Sequence, residues 1–176
     1  MAKNSVLLPD ESHCRSDIGA ILYRDRKIYA FSADIIEVTE PNSIFGYVEY
    51  KIGISMDPID VCNYDRRIFE LTTRFRDLNR LYQQVSTIHK QLYLKDNVPL
   101  FAPTKLVGSN TPETIEERKT AITNFLNFVL RSTVLCKARV FQTFIDSSKE
   151  VPSDSPTEGV KSEPEGNINE HNIELD

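Results

Sequence analysis

The sequence is poor in the residues from which most catalytic and cofactor sites are built. It has three histidines, His13, His89 and His171, and two of them fall in segments that read as tails. His89 sits beside Ile88 on a helical stretch, where a partly exposed histidine is the ordinary arrangement. The three cysteines, Cys14, Cys62 and Cys136, are odd in number, scattered, and form no CxxC. That excludes a disulfide framework and points to reduced thiols in a cytosolic chain. No set of His, Cys or carboxylate residues has metal-ligand spacing, so no metal is expected. With only six glycines there is neither a phosphate-cradling loop nor a Gly-rich nucleotide turn, so no cofactor is expected either. No apolar run approaches the roughly eighteen residues that cross a bilayer. The opening MAKNSVLLPDESH lacks the basic, apolar and small-residue succession of a signal peptide. These absences together predict that the chain is not an enzyme.

What is present is charge, and it is segregated. The formal net charge is −5, yet residues 147–176 hold eight acids against two lysines, a net of −6. Between Arg66 and Arg139 there are 13 basic and 6 acidic residues, a net of +7. The second half of the folded part is therefore suited to an anionic partner. The acidic stretch has no aromatic residue and is rich in Pro, Ser, Glu and Asn, a composition with little apolar surface to offset ordering. This predicts an N-terminal extension over 1–24, loosely ordered, one domain over 25–146, and a disordered acidic tail over 147–176.

Within the domain, KIYAFSADIIEVTE reads as a strand. The segment FGYVEYKIGIS alternates Val48, Tyr50, Ile52 and Ile54, and the EPNS between the two supplies a turn. RRIFELTTRF reads as a third strand with Phe69, Leu71 and Phe75 on one face. The period then changes: Leu78, Leu81, Tyr82, Val85, Ile88 and Leu92 fall at helical spacing. A loop with Pro99 and Pro103 follows. Thr111-Pro112 is a helix start, and Ile115, Ile122, Phe125, Leu126, Val129 and Leu130 share a stripe. VLCKARVFQTFI reads as a last helix. Strands first and helices after give an α+β fold: a three-stranded antiparallel β-meander packed against three to four helices, with a Pro-containing loop.

The basic residues are placed unevenly on this frame. If Phe69, Leu71 and Phe75 face the core, Arg74 lies on the opposite side of its strand, at the strand end. Arg118 falls between Ile115 and Ile122, at the edge of the apolar stripe. Buried arginines are rare unless paired. Either an internal carboxylate pairs with Arg118 or it lines a pocket for an external anion, and the sequence leaves both open. Lys105 stands in the Pro-containing loop beside Leu106 and Val107.

The succession TRFRDLNRLYQQV, VPLFAPTKLVG and TIEERKTAITNFLNFV, in that order behind three strands, resembles the phox-homology (PX) domain family, in the style of the small sorting nexins. The resemblance covers about Lys27 to Ile145. It implies a peripheral, reversible membrane-binding module of cytoplasmic proteins that recognises phosphoinositides, usually phosphatidylinositol 3-phosphate, on endosomal membranes in protein trafficking. By motif, Arg74 would hold the 3-phosphate and Phe75 would stack on the inositol ring. Lys105 would meet the phosphate nearest the glycerol, Arg118 the ring hydroxyls, and Leu106 and Val107 would enter the bilayer. Arg76 is read as a peripheral surface charge.

Three positions depart from the family pattern: Thr73 where a basic residue is frequent, Leu78 where phenylalanine is usual, and Lys105 three rather than four residues before Gly108. Lys95 is the alternative loop lysine. The other reading is a PX-fold adaptor that binds proteins through its helices or acidic tail, with weak or no lipid affinity. Nucleic-acid binding is disfavoured by the lack of an aromatic-basic sheet motif.

Overall fold

A computed structural model describes residues 5–24, 28–43, 46–105, 108 and 110–153. Four α-helices and four strands make up an α+β fold: α1 Asp17–Arg24, β1 Tyr29–Thr39, β2 Glu49–Pro58, β3 Arg67–Arg74, α2 Phe75–Gln91, α3 Pro112–Arg131, α4 Arg139–Ile145 and β4 Lys149–Val151. The strands form one antiparallel sheet in the order β1-β2-β3-β4.

The period-two pattern of β2 does what it predicts. Tyr50, Ile52, Ile54 and Met56 are all at most 1% exposed and turn toward the helices. The register sets Ile52 opposite Leu71 and Ile54 opposite Phe69. Leu78, Leu81, Val85 and Ile88 of α2 and Ile122, Phe125, Leu126 and Val129 of α3 close the same core. Helix α3 starts where the sequence places it, with Thr111 accepting a hydrogen bond from the Thr114 amide and Pro112 in the first turn. No helix among the described residues is long and apolar enough to cross a membrane.

The structure departs from the sequence reading at both ends of the domain. The N-terminal segment is not loosely ordered where it is described: Ile18 and Leu22 of α1 are completely buried. The sheet has a fourth strand, β4, in what reads as the start of the acidic tail, so the meander is not three-stranded. Three residues of backbone pairing and one strong side-chain contact hold it there, features with no sequence periodicity to reveal them. The last helix is also broken. A short 3₁₀ turn, Leu135–Lys137, precedes α4, and Ala138 between them is extended. There Leu8 donates its amide to the Lys137 carbonyl and Arg139 donates to the Val6 carbonyl, so the N-terminal segment takes the backbone groups that a continuous helix would use. His89 is 7% exposed, more buried than a surface helical histidine. Residues 154–176 of the tail lie outside the described residues.

Two polar devices fasten the sheet edges. On β1, the Asn127 side chain accepts from the Ala33 amide at 3.0 Å and donates to the Ala33 carbonyl at 2.8 Å, so α3 completes the ladder that β1 lacks on its outer side. On the opposite edge, Arg67 donates from Nε and Nη2 to the two Glu150 oxygens, each at 2.7 Å, with Asp17 of α1 within 3.4 Å. This pairing holds the Glu150 carboxyl below the ordinary glutamate range and raises the Arg67 guanidinium above its own.

Two outcomes follow. Asn127→Ala leaves the Ala33 amide and carbonyl without their partner and should cost about 1–3 kcal/mol in urea unfolding; an unchanged midpoint contradicts the clamp. Glu150 has a depressed folded-state pKa, so its stabilisation is present above the unfolded glutamate pKa and is lost as pH falls through the lowered value. Glu150→Gln should therefore lower stability at pH 7 and reduce the loss on acidification, read as unfolding midpoints from pH 7 to pH 3.

Candidate functional site

Strand β3 passes into α2 with no intervening loop. Arg74 is the last strand residue and the N-cap of the helix, with extended backbone at φ −103° and ψ 155°, and Phe75 is the first helical residue. Because side chains alternate along a strand, Arg74 leaves the sheet on the side opposite Leu71. Its guanidinium carbon lies 3.1 Å from the centre of the half-exposed Tyr47 ring, next to the start of β2.

Phe75 turns inward, 7% exposed. Phe101, from the Pro-containing loop, stacks parallel to it at 5.6 Å and parallel to Tyr82 at 4.7 Å. Phe125 meets both Phe101 and Tyr82 edge-on. These rings weld the loop to α2 and α3. Arg118 reaches across from α3, and its guanidinium carbon lies 3.9 Å from the Phe75 ring centre. The arginine is 6% exposed, as its place at the stripe edge requires. Beneath it, burial pushes the Tyr50 hydroxyl pKa up, and the nearby Arg118 charge partly opposes the shift.

Arg74, Phe75 and Arg118 thus line one cavity of about 300 Å³ together with Tyr47, Arg76 and Asn110. None of its described lining residues is acidic. Arg76, read from sequence as peripheral, is on this wall, although it is 77% exposed and 4.0 Å from the Asp77 carboxylate. Tyr47 and Asn110 carry no sequence signal, since both stand in irregular segments where periodicity is silent. Chemically, the cavity offers several guanidinium donors around an apolar floor, a lining that fits an oxyanion on a compact ring.

Lys105 is not on that wall. Its ammonium donates to Glu117 at 2.8 Å and to the Thr114 hydroxyl at 3.2 Å, over the first turns of α3. Lys95 is elsewhere, in a cleft at the far end of α2. Leu106 and Val107 lie outside the described residues. Among the described residues, no group of three or more His, Cys, Asp or Glu side chains is placed to hold a metal ion.

The PX domain family model matches residues 63–148 of the chain. No curated protein sequence matches it. Among solved structures, a designed CISK-PX domain aligns with a TM-score of 0.50 at 17% identity, covering 64% of this chain and 96% of that one. The mouse SNX19 PX domain with bound sulphate ion aligns with a TM-score of 0.46 at 17% identity, covering 66% of this chain and 97% of that one. At 17% identity the first of these similarities is one of fold. PX domains are in general phosphoinositide-binding, membrane-targeting modules without enzymatic activity.

The ring ladder makes its own prediction. Phe101→Leu keeps an apolar side chain in the loop but removes two stacked contacts and one edge contact, and should cost about 1–3 kcal/mol. Equilibrium unfolding checks it, and a wild-type midpoint contradicts the ladder.

Proposed function

From the PX domain that this chain carries, we propose a protein that binds phosphoinositides through the Arg74–Arg118 cavity and is recruited reversibly to membranes. The single observation that carries the reading is the convergence of Arg74 and Arg118, distant in sequence, on one small cavity whose described lining has no acid. Guanidinium groups present a planar fork of donors that suits phosphate oxygens and neighbouring hydroxyls. Arg74 is assigned to a ring phosphate and Arg118 to ring hydroxyls. The first turn of α2 opens beside Arg74, and the positive end of the helix favours negative charge there.

Phe75 has a narrower role than an open stacking platform. With 7% of its surface exposed it supplies the cavity floor and the seat on which Arg118 rests. Tyr47 holds Arg74 through its ring, an aromatic support for a partly exposed side chain. The ligand class best suited to a lining of this size is a phosphoinositide with one or two ring phosphates, phosphatidylinositol 3-phosphate first, which directs the protein to endosomes and to trafficking there. Leu106 and Val107 are assigned to shallow insertion in the bilayer. The domain is taken as residues 25–146 with the α1 and β4 additions.

One observation favours a second reading, an adaptor that grips proteins more strongly than lipid. The engagement of Lys105 with Glu117 keeps that cation off the cavity wall and leaves fewer charges for a headgroup.

Charge-assisted hydrogen bonds contribute about 1.5–3 kcal/mol each. Arg74→Ala and Arg118→Ala should therefore each lower binding to phosphatidylinositol 3-phosphate vesicles about ten-fold or more. Arg74→Ala, at a partly exposed position outside the core, should do so with the unfolding midpoint little changed. Flotation across a phosphoinositide panel measures both the loss and the preference. Undiminished vesicle binding by both variants overturns the site, and membrane recruitment that survives Arg74→Ala favours the adaptor.

A further inference from the structure

A second cleft lies apart from the arginine cavity. It has a volume of about 840 Å³ and lies between the second half of α2 and the loop that follows. From Phe75 to His89 the helix rises about 21 Å, so a headgroup held at Arg74 cannot reach it.

Two polar atoms in its wall are buried and have no hydrogen-bond partner among the described residues: the Ser86 hydroxyl oxygen and Nε2 of His89. His89 is 7% exposed. Its nearest acid is Asp96, whose oxygen stops 3.6 Å from Nε2, beyond hydrogen-bond reach. A buried polar atom without a partner is costly, and both atoms belong to side chains that line the cleft. At the rim stand Lys90 and Lys95, both exposed and neither ion-paired among the described residues. Tyr93 projects beside them, 90% exposed, on a left-handed backbone at φ 52°. That conformation is uncommon for a non-glycine residue and costs about 1–3 kcal/mol unless the surroundings fix it.

We propose that this cleft is a second oxyanion site, which takes an acidic or phosphorylated segment of a partner protein. The Ser86 hydroxyl and the His89 ring supply hydrogen-bonding groups in the wall and Lys90 and Lys95 supply the charge, an arrangement that suits a carboxylate or phosphate. Asp96, 3.6 Å from His89 Nε2, is the chain's own oxyanion at this wall, and it competes with the ligand. Shape favours a peptide over a lone headgroup. The wall follows α2 from Tyr82 to Lys90, about 12 Å of helix. That length matches three to four extended residues at about 3.3 Å each, with Tyr93 as an apolar rest for a neighbouring side chain. The inference does not depend on lipid binding at Arg74.

The test is a titration of the full-length ¹⁵N-labelled chain with a nine-residue peptide carrying one phosphoserine between glutamates. Amide shifts at Ser86, His89, Lys90 and Lys95 should saturate together. The Lys90→Ala/Lys95→Ala double variant should weaken binding at least ten-fold, and Asp96→Asn should strengthen it several-fold. Arg74→Ala should leave it unchanged, which separates this site from the headgroup cavity. The proposal is overturned if the peptide moves none of these amides, or if the double lysine variant binds as the wild type does. It is equally overturned if phosphatidylserine vesicles free of phosphoinositide give the response and the peptide does not.

Discussion

The contact between the Arg118 guanidinium and the Phe75 ring fixes the geometry on which the rest of the site depends. Phe75 is the first residue of α2 and Arg118 lies in the second turn of α3, so this contact joins the sheet-to-helix junction to the opposite helix. A cation over an aromatic face is worth about 0.5–2 kcal/mol, the more so when desolvated. Both groups here are more than 90% buried. Phe101 secures the same ring from the loop, so three segments meet at one side chain. Because strand passes directly into helix, the residue before the pinned ring has no freedom to wander. Arg74 is consequently aimed by a fold constraint, with Tyr47 steadying its head.

This arrangement explains how a chain with a formal charge of −5 can present a cationic recess. The acids are not absent from the folded part; they are committed elsewhere. Glu150 is taken by Arg67, Glu70 by Lys51, and Glu117 by Lys105, each at a distance of 2.7–2.8 Å. Exposed pairs of this kind add little stability, a median of about 0–1 kcal/mol. Their larger effect is positional, since each fixes where negative charge sits. The same pairing logic separates the two arginines and the one lysine that sequence alone groups together: Arg74 and Arg118 face the cavity, and Lys105 is turned to α3.

Much of this was legible in the residues and some was not, for identifiable reasons. The period-two run Tyr50-Ile52-Ile54 and the helical stripe Leu78 to Ile88 set strand and helix because burial on one face leaves a periodic trace. The break at Arg74-Phe75 marked the strand end for the same reason, and the Thr111-Pro112 start followed from capping chemistry. Strand β4 and the interruption at Ala138 were illegible, since they depend on backbone pairing with residues far away, Ile68 to Glu70 in one case and Val6 to Leu8 in the other. At the site, Arg74, Phe75 and Arg118 could be named in advance from motif and face. Tyr47 and Arg76 could not, because their part is set by where an irregular segment and an exposed first helical turn come to rest. The destination of Lys105 depended on whether a carboxylate of α3 would be within its reach, a matter of a few ångströms.

The central claim is that two guanidinium groups share one ligand. It is tested most directly by following the side-chain Nε–H resonances of Arg74 and Arg118 while a soluble short-chain phosphatidylinositol 3-phosphate is added. The account predicts that both resonances shift along a single saturation curve with one dissociation constant. Movement of one without the other, or of neither while the ligand binds elsewhere, contradicts it.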